Sequence, residues 1–214
     1  MKIIDLSHTL ESGMLPYPGD EAPNIQKSVT HEKDSVQVTS LGISTHTGTH
    51  LDTPRHFVAS GDTTDKMDLD HFYGKGVIID CKNYGRQQQI PLSHIEKYKT
   101  KLESADFALI YTAWHQHWGT NTYFDHFPVL SVEANEFLVG YNLKGIGMDS
   151  SSIDGIDSID YPNHNLVLGK GLIIIENLTN LDQLIDKDFQ FAVFPLKIKE
   201  GDGSPVRAVA FVGN

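Results

Sequence analysis

The chain reads as a mixed α/β domain, and three observations predict that class. Short apolar runs rich in β-branched residues recur along its length, capped segments of helical character fall between some of them, and strands outnumber helices without a regular alternation. In order, Val36-Gln37-Val38-Thr39-Ser40-Leu41-Gly42-Ile43 alternates apolar with small or polar residues, as a half-buried strand does. Runs at 77–80, 107–111, 146–148, 172–175, 191–196 and 206–212 follow as strands. Ser93-His94-Ile95-Glu96 has the capping-box pattern, opening a helix that runs to about residue 103. Ser131 is placed to cap a helix over 132–139, with Glu133 favourable in its first turn, and 181–187 is a third candidate.

No repeat, low-complexity tract or Pro/Ser-rich linker divides the 214 residues, so 1–214 is expected to be a single domain. The net charge of −11 argues against nucleic acid or an anionic membrane as a partner, since both select a basic footprint. No apolar run approaches the roughly 20 residues that span a bilayer, and the opening Met1-Lys2-Ile3-Ile4-Asp5-Leu6 is unlike a signal peptide. Cys81 stands alone, which suits a reducing cytoplasm. A small molecule is therefore the expected partner.

Chemistry concentrates in His46-Thr47-Gly48-Thr49-His50-Leu51-Asp52-Thr53-Pro54-Arg55-His56, directly after the first predicted strand. Imidazole nitrogen and carboxylate oxygen are ligands preferred by zinc, and they also suit manganese or iron. His46 and His50 are four apart, but Gly48 and Pro54 disfavour a helix there, and no Glu follows His46 as in the metalloprotease helix. A strand end running into a turn at Gly48 is expected, with Asp52, Pro54 and His56 extended and sharing a side. A second cluster joins Asn163-His164-Asn165 to Glu176, which closes an apolar run. A carboxylate there needs a partner, either a metal ion or a basic side chain. His8, His31, His115, His117 and His126 read as packing or surface residues, and Asp149 and Asp154 as a hydrogen-bonded turn.

The central segment fits His-x-Gly-Thr-His-x-Asp-x-Pro-x-His and resembles the signature of the cyclase family of metal-dependent hydrolases, which includes bacterial kynurenine formamidases and isatin hydrolases. The resemblance extends to Asp5-Leu6-Ser7-His8-Thr9-Leu10, Pro18-Gly19-Asp20, the 149–154 segment, Glu176-Asn177-Leu178 and Gly203-Ser204-Pro205-Val206-Arg207. It implies a twisted, partly closed β-sheet with flanking helices, a swivelling β/β/α-like fold, assembled as a homodimer or homotetramer. It also implies two divalent metal ions per chain, zinc first and manganese as the alternative. His46, His50 and Asp52 would hold one ion, and Asp52 would bridge to a second held by His164 and Glu176. His56 would be the proton acceptor and donor beside a metal-activated water.

Tyr17 stands where formamidases carry a Trp and would supply the aromatic face for substrate. Tyr111-Thr112-Ala113 replaces the Arg-Thr-Gly of many members. The implied activity is hydrolysis of an amide C–N bond, arylformamidase-like, with N-formylkynurenine as lead substrate. The alternatives are opening of a cyclic amide or lactone, and a non-catalytic metal-binding protein.

Overall fold

A computed structural model describes residues 1–213. Its strands are β1 (Lys2–Asp5), β2 (Asn24–Val29), β3 (Val38–Gly42), β4 (His50–Asp52), β5 (Tyr73–Asp80), β6 (Gln89–Ile90), β7 (Phe107–Tyr111), β8 (Val129–Leu130), β9 (Gly145–Met148), β10 (Ile173–Glu176), β11 (Phe189–Ala192), β12 (Gly203–Pro205) and β13 (Val209–Val212). Nine of them form one mixed sheet in the order β1-β13-β11-β5-β7-β9-β10-β4-β12. The β5-β7-β9-β10 centre is parallel, and the flanking pairs are antiparallel. The sheet curls: just past β1, Ser7 bridges to Leu178 beyond β10, and Thr179 N–H donates to the Leu6 carbonyl at 3.0 Å. One edge is thereby tied back to the far half, as a partly closed sheet requires.

Side-chain alternation splits the core in two. Ile79, Ala108, Ile110, Ile146, Met148 and Ile174 pack on one face with helical residues such as Leu138, Val167 and Ile95. Leu51, Phe107, Leu109, Ile173, Ile175 and Phe191 pack on the other. Fully burying a side chain such as Leu51 contributes about 1.5–3 kcal/mol, so both faces anchor the strands that carry the site.

The expected strands form, with shifted bounds, and three local expectations need correction. β3 is exposed along its length instead of half-buried, because it pairs only with β2 in a separate two-stranded ribbon. The 93–103 helix breaks into Leu92–Ile95, a 3₁₀ turn and Lys99–Leu102, and Pro91, not Ser93, precedes it. Residues 181–187 make only the 3₁₀ turn Leu181–Leu184. Ser131 does cap its helix, Val132–Leu138, by accepting from Ala134 N–H at 3.2 Å. The helix Pro162–Gly169, started by proline at its first turn, carries His164. Among the described residues no helix is long and apolar enough to cross a membrane.

Candidate metal centre and its cleft

The register of three strands builds the centre. His50 and Asp52 alternate with Leu51 along β4, so the two polar side chains share a face while Leu51 enters the core. In the antiparallel pairing with β10, Glu176 lies opposite His50, which adds a second carboxylate to that face. On the other side, β12 sets Gly203 opposite Asp52. A Cβ at Gly203 would lie 2.9 Å from Cε1 of His46, so glycine makes the room into which that ring swings. The turn before β4 passes through Gly48 at φ +66°, a left-handed conformation that glycine adopts without strain.

The six residues expected from sequence as ligands and proton carrier converge. Nδ1 of His46 lies 2.7 Å from Oδ1 of Asp52, and Nε2 of His50 lies 3.4 Å from the same oxygen. Nε2 of His164 stands 3.8 Å from Oδ2 of Asp52 and 3.5 Å from Glu176, which is also 3.5 Å from Nε2 of His50. His56 joins them with its ring 4.1 Å from that of His46. It arrives through a 3₁₀ turn, Pro54–His56, and not through the extended stretch expected, because Pro54 at the first position favours a helical turn. Among the described residues, two groupings have ligand atoms close enough to share an ion: His46, Asp52 and His56; and His50, Asp52 and Glu176.

A divalent metal fits these residues. Asp52 is 1% exposed, yet its Oδ2 makes no hydrogen bond, an expensive condition for a buried carboxylate without a cation. The charges around it respond accordingly. Burial opposes ionisation of Asp52, but the charges and hydrogen bonds of His46 and His50 hold its carboxyl well below the usual range. Burial likewise opposes protonation of His46, and Asp52 with Asp202 outweighs it, raising that imidazole to about 9. His164 follows the same pattern through Asp154, Glu176 and Asp52, and is raised to about 10. His56 goes the other way: burial lowers it, with the neighbouring imidazoles adding to burial and Asp52 only partly opposing.

Supporting residues fix these rings. Asp154 accepts from Nδ1 of His164 at 2.7 Å and from the amides of Asn163 and His164 at the start of their helix. The turn expected at 149–154 is thus a clamp on a candidate ligand. Nδ1 of His50 donates to the Gly48 carbonyl at 2.8 Å, and the Asn177 side chain donates to the same oxygen. Asn177 itself sits at φ +59° and receives the Tyr123 hydroxyl at 2.8 Å. Asp149 is fully buried under Thr112 and His115.

The cluster floors a cleft of about 370 Å³ whose walls include Met14, Tyr17, Phe57, Trp118, Phe124 and Tyr161. Tyr17 meets Phe124 edge-on at 6.0 Å, and burial, helped by Glu176, pushes its phenol up to about 12. Trp118 lines the cleft and stacks on His8 at 4.0 Å, whereas His115 and His117 stay outside its wall.

Comparison with known proteins places this geometry. A family model described as "Putative cyclase" matches residues 4–155. The kynurenine formamidase of Bacillus thuringiensis (strain Al Hakam) is 33% identical over 207 residues, spanning 96% of this chain and 95% of its own length. The chain belongs to the cyclase family of metal-dependent hydrolases. The kynurenine formamidase of Bacillus anthracis is 32% identical over 209 residues, 97% of this cyclase and 96% of its own chain. Isatin hydrolase A from Labrenzia aggregata, bound to benzyl benzoate, matches with a TM-score of 0.88 at 27% identity, over 100% of this chain and 94% of that one. An isatin hydrolase bound to the product analogue thioisatinate shares the fold, with a TM-score of 0.89 at 23% identity over 100% and 93% of the two chains.

Sequence reading of this cyclase missed Asp202. Its Oδ2 lies 3.1 Å from Nε2 of His46 and 3.7 Å from Nδ1 of His56. The available signal was its place directly before the Gly203-Ser204-Pro205 segment. It had no visible link to a motif that begins 156 residues earlier at His46.

Proposed function

We propose that the chain is a metal-dependent amide hydrolase of arylformamidase type, with N-formylkynurenine as lead substrate. The observation that carries the reading is the buried Oδ2 of Asp52, which accepts no hydrogen bond though it lies among three imidazoles, at the floor of a cleft walled by aromatic rings. His46, His50 and Asp52 would hold one ion, and Asp52, His164 and Glu176 a second; zinc suits this donor set, with manganese as the alternative. A bound divalent ion supplies Lewis acidity toward a carbonyl oxygen and makes a water acidic enough to ionise near neutral pH.

The chain's own residues do the rest. Tyr17, Phe124 and Trp118 offer faces on which an aryl group stacks, which orients the amide toward the cluster. His56, with 29% of its side chain exposed, takes the nucleophile's proton and returns it to the departing amine. Asp154 and the Gly48 carbonyl keep the His164 and His50 rings from turning. Cytoplasmic work as a homodimer or homotetramer belongs to the same reading. The lone buried Cys81 and the uncovered ribbon of β2 and β3 support it.

A second reading, opening of a cyclic amide or lactone, is favoured by one feature. The cleft lining contains Asp20 and Glu21 but no Lys or Arg to meet an amino-acid carboxylate, and isatin carries none. Metal content of the purified protein, measured with hydrolysis of N-formylkynurenine and isatin in the presence and absence of chelator, decides. Chelator-sensitive cleavage of the formamide with about two ions per chain supports the first reading, and isatin opening alone supports the second. A protein that takes up no metal under any loading condition refutes both.

A further inference from the structure

Every imidazole of the cluster has two nitrogens, and the group met by one decides which of them keeps a lone pair. Nδ1 of His50 faces a carbonyl, which can only accept, so a proton sits there and Nε2 is the nitrogen turned toward the carboxylates of Asp52 and Glu176. Nδ1 of His164 faces the carboxylate of Asp154 at 2.7 Å, which keeps a proton there and leaves Nε2 as the nitrogen that would give up its proton to a metal ion. His46 is oriented in reverse, its Nδ1 toward Asp52 at 2.7 Å and its Nε2 toward Oδ2 of Asp202 at 3.1 Å. That same oxygen of Asp202 is the carboxylate placed 3.7 Å from Nδ1 of His56.

We propose that Asp202 is a positioning residue that sets the tautomers of both rings, holding a proton at Nε2 of His46 through a hydrogen bond and favouring one at Nδ1 of His56 through its charge. His46 then presents Nδ1 to a metal ion, and His56 presents Nε2 to substrate. Without the carboxylate, His56 relaxes toward the Nε2–H tautomer that free histidine prefers, which puts a donor where an acceptor is needed. Asp202 is itself oriented, since the Thr45 hydroxyl donates to its Oδ1 at 3.0 Å. Its loop is anchored separately: the Asp202 backbone carbonyl accepts from Thr53 N–H at 2.9 Å and from the Thr53 hydroxyl at 3.0 Å. The side chain can therefore be changed while the loop keeps its anchor. The functional consequence rests on the proposed metal and proton-carrier roles, whereas the tautomers are a property of the chain alone.

The test is long-range proton–nitrogen correlation spectroscopy of histidine-labelled protein at pH 8, metal-free and zinc-loaded, on wild type, Asp202→Ala and Asp202→Asn. Wild type is expected to show His56 protonated at Nδ1 in both states, and His46 at Nε2 once zinc is bound. In Asp202→Ala the His56 proton moves to Nε2, and zinc affinity, read by competition with a chromophoric chelator, falls about 10–100-fold. Asp202→Asn, isosteric and with one acceptor oxygen in place of two, moves part of the way and serves if the alanine variant fails to fold. Unchanged His56 tautomers in the folded variants, with zinc affinity within twofold of wild type, overturn the proposal. Wild-type protein that binds no zinc refutes the metal reading instead, and leaves the His56 result in metal-free protein to stand or fall by itself.

Discussion

Loading the metal-free protein with zinc at pH 7 should expel close to two protons per fully loaded chain from its histidines, before any from a bound water. His46 and His164 are raised to about 9 and about 10 by the carboxylates around them, so both are imidazolium at neutral pH. A metal ligand must be the neutral base. Deprotonating the pair at pH 7 costs about 2 and about 3 pH units respectively, together roughly 7 kcal/mol at 1.36 kcal/mol per unit. The apparent affinity for each ion should therefore climb about tenfold per pH unit between pH 7 and 8, and the overall constant for loading both about 100-fold. The metal-free fold responds with the opposite sign. Both folded-state values lie above the ordinary 6.5, so these pairs stabilise the metal-free protein fully below pH 6.5. That stability is lost as pH rises through about 9 and about 10. Titration calorimetry in buffers of different ionisation enthalpy counts the protons, and thermal unfolding in chelator follows the stability. Release of less than one proton per loaded chain, or a metal-free Tm that is flat from pH 7 to 10, refutes the reasoning.

Three further predictions follow from the same geometry. His56→Ala should keep its metal and lose turnover by roughly 10²–10⁴-fold, measured by metal analysis and steady-state kinetics; loss of metal would make His56 a ligand. Gly203→Ala sets a Cβ 2.8 Å from the Leu51 carbonyl oxygen and 2.9 Å from the His46 ring. It should cost about 1–3 kcal/mol in denaturant unfolding and weaken zinc binding, and wild-type values in both would contradict the packing described. Cys81, fully buried and with its thiol pushed up by burial, should resist a disulfide reagent in native protein and react promptly once unfolded.

Much of the candidate site was legible because His46, His50, Asp52 and His56 lie in one short segment. His50 and Asp52 share a face by strand geometry, and Gly48 announces the turn. The central strands were legible from their apolar runs of strand length, such as Phe107–Tyr111 and the β-branched 173–175 stretch. β3 was misjudged because alternation reports a potential face and not what covers it. Here only β2 lies alongside. The helix bearing His164 was overlooked because its apolar positions do not form a clear stripe, and its Pro162 start is the stronger signal. Asp154 and Asp202 were beyond local reading, since each meets its histidine through tertiary contact across 10 and 156 positions.

The position of β4 between β10 and β12 also has a consequence for the order of events at birth. His50 and Asp52 emerge from the ribosome early, but their neighbours in the sheet are Glu176 and the 203–205 strand, and Asp202 follows His46 by 156 residues. At a synthesis rate of about 5–20 residues per second, that interval is roughly 8–30 s. During it the nascent chain exposes a histidine-rich segment with no sheet to hold it. Capture of an ion in the finished geometry thus waits until the 203–205 strand has been made, and metal scarcity would leave a folded, proton-filled protein in place of an unfinished one.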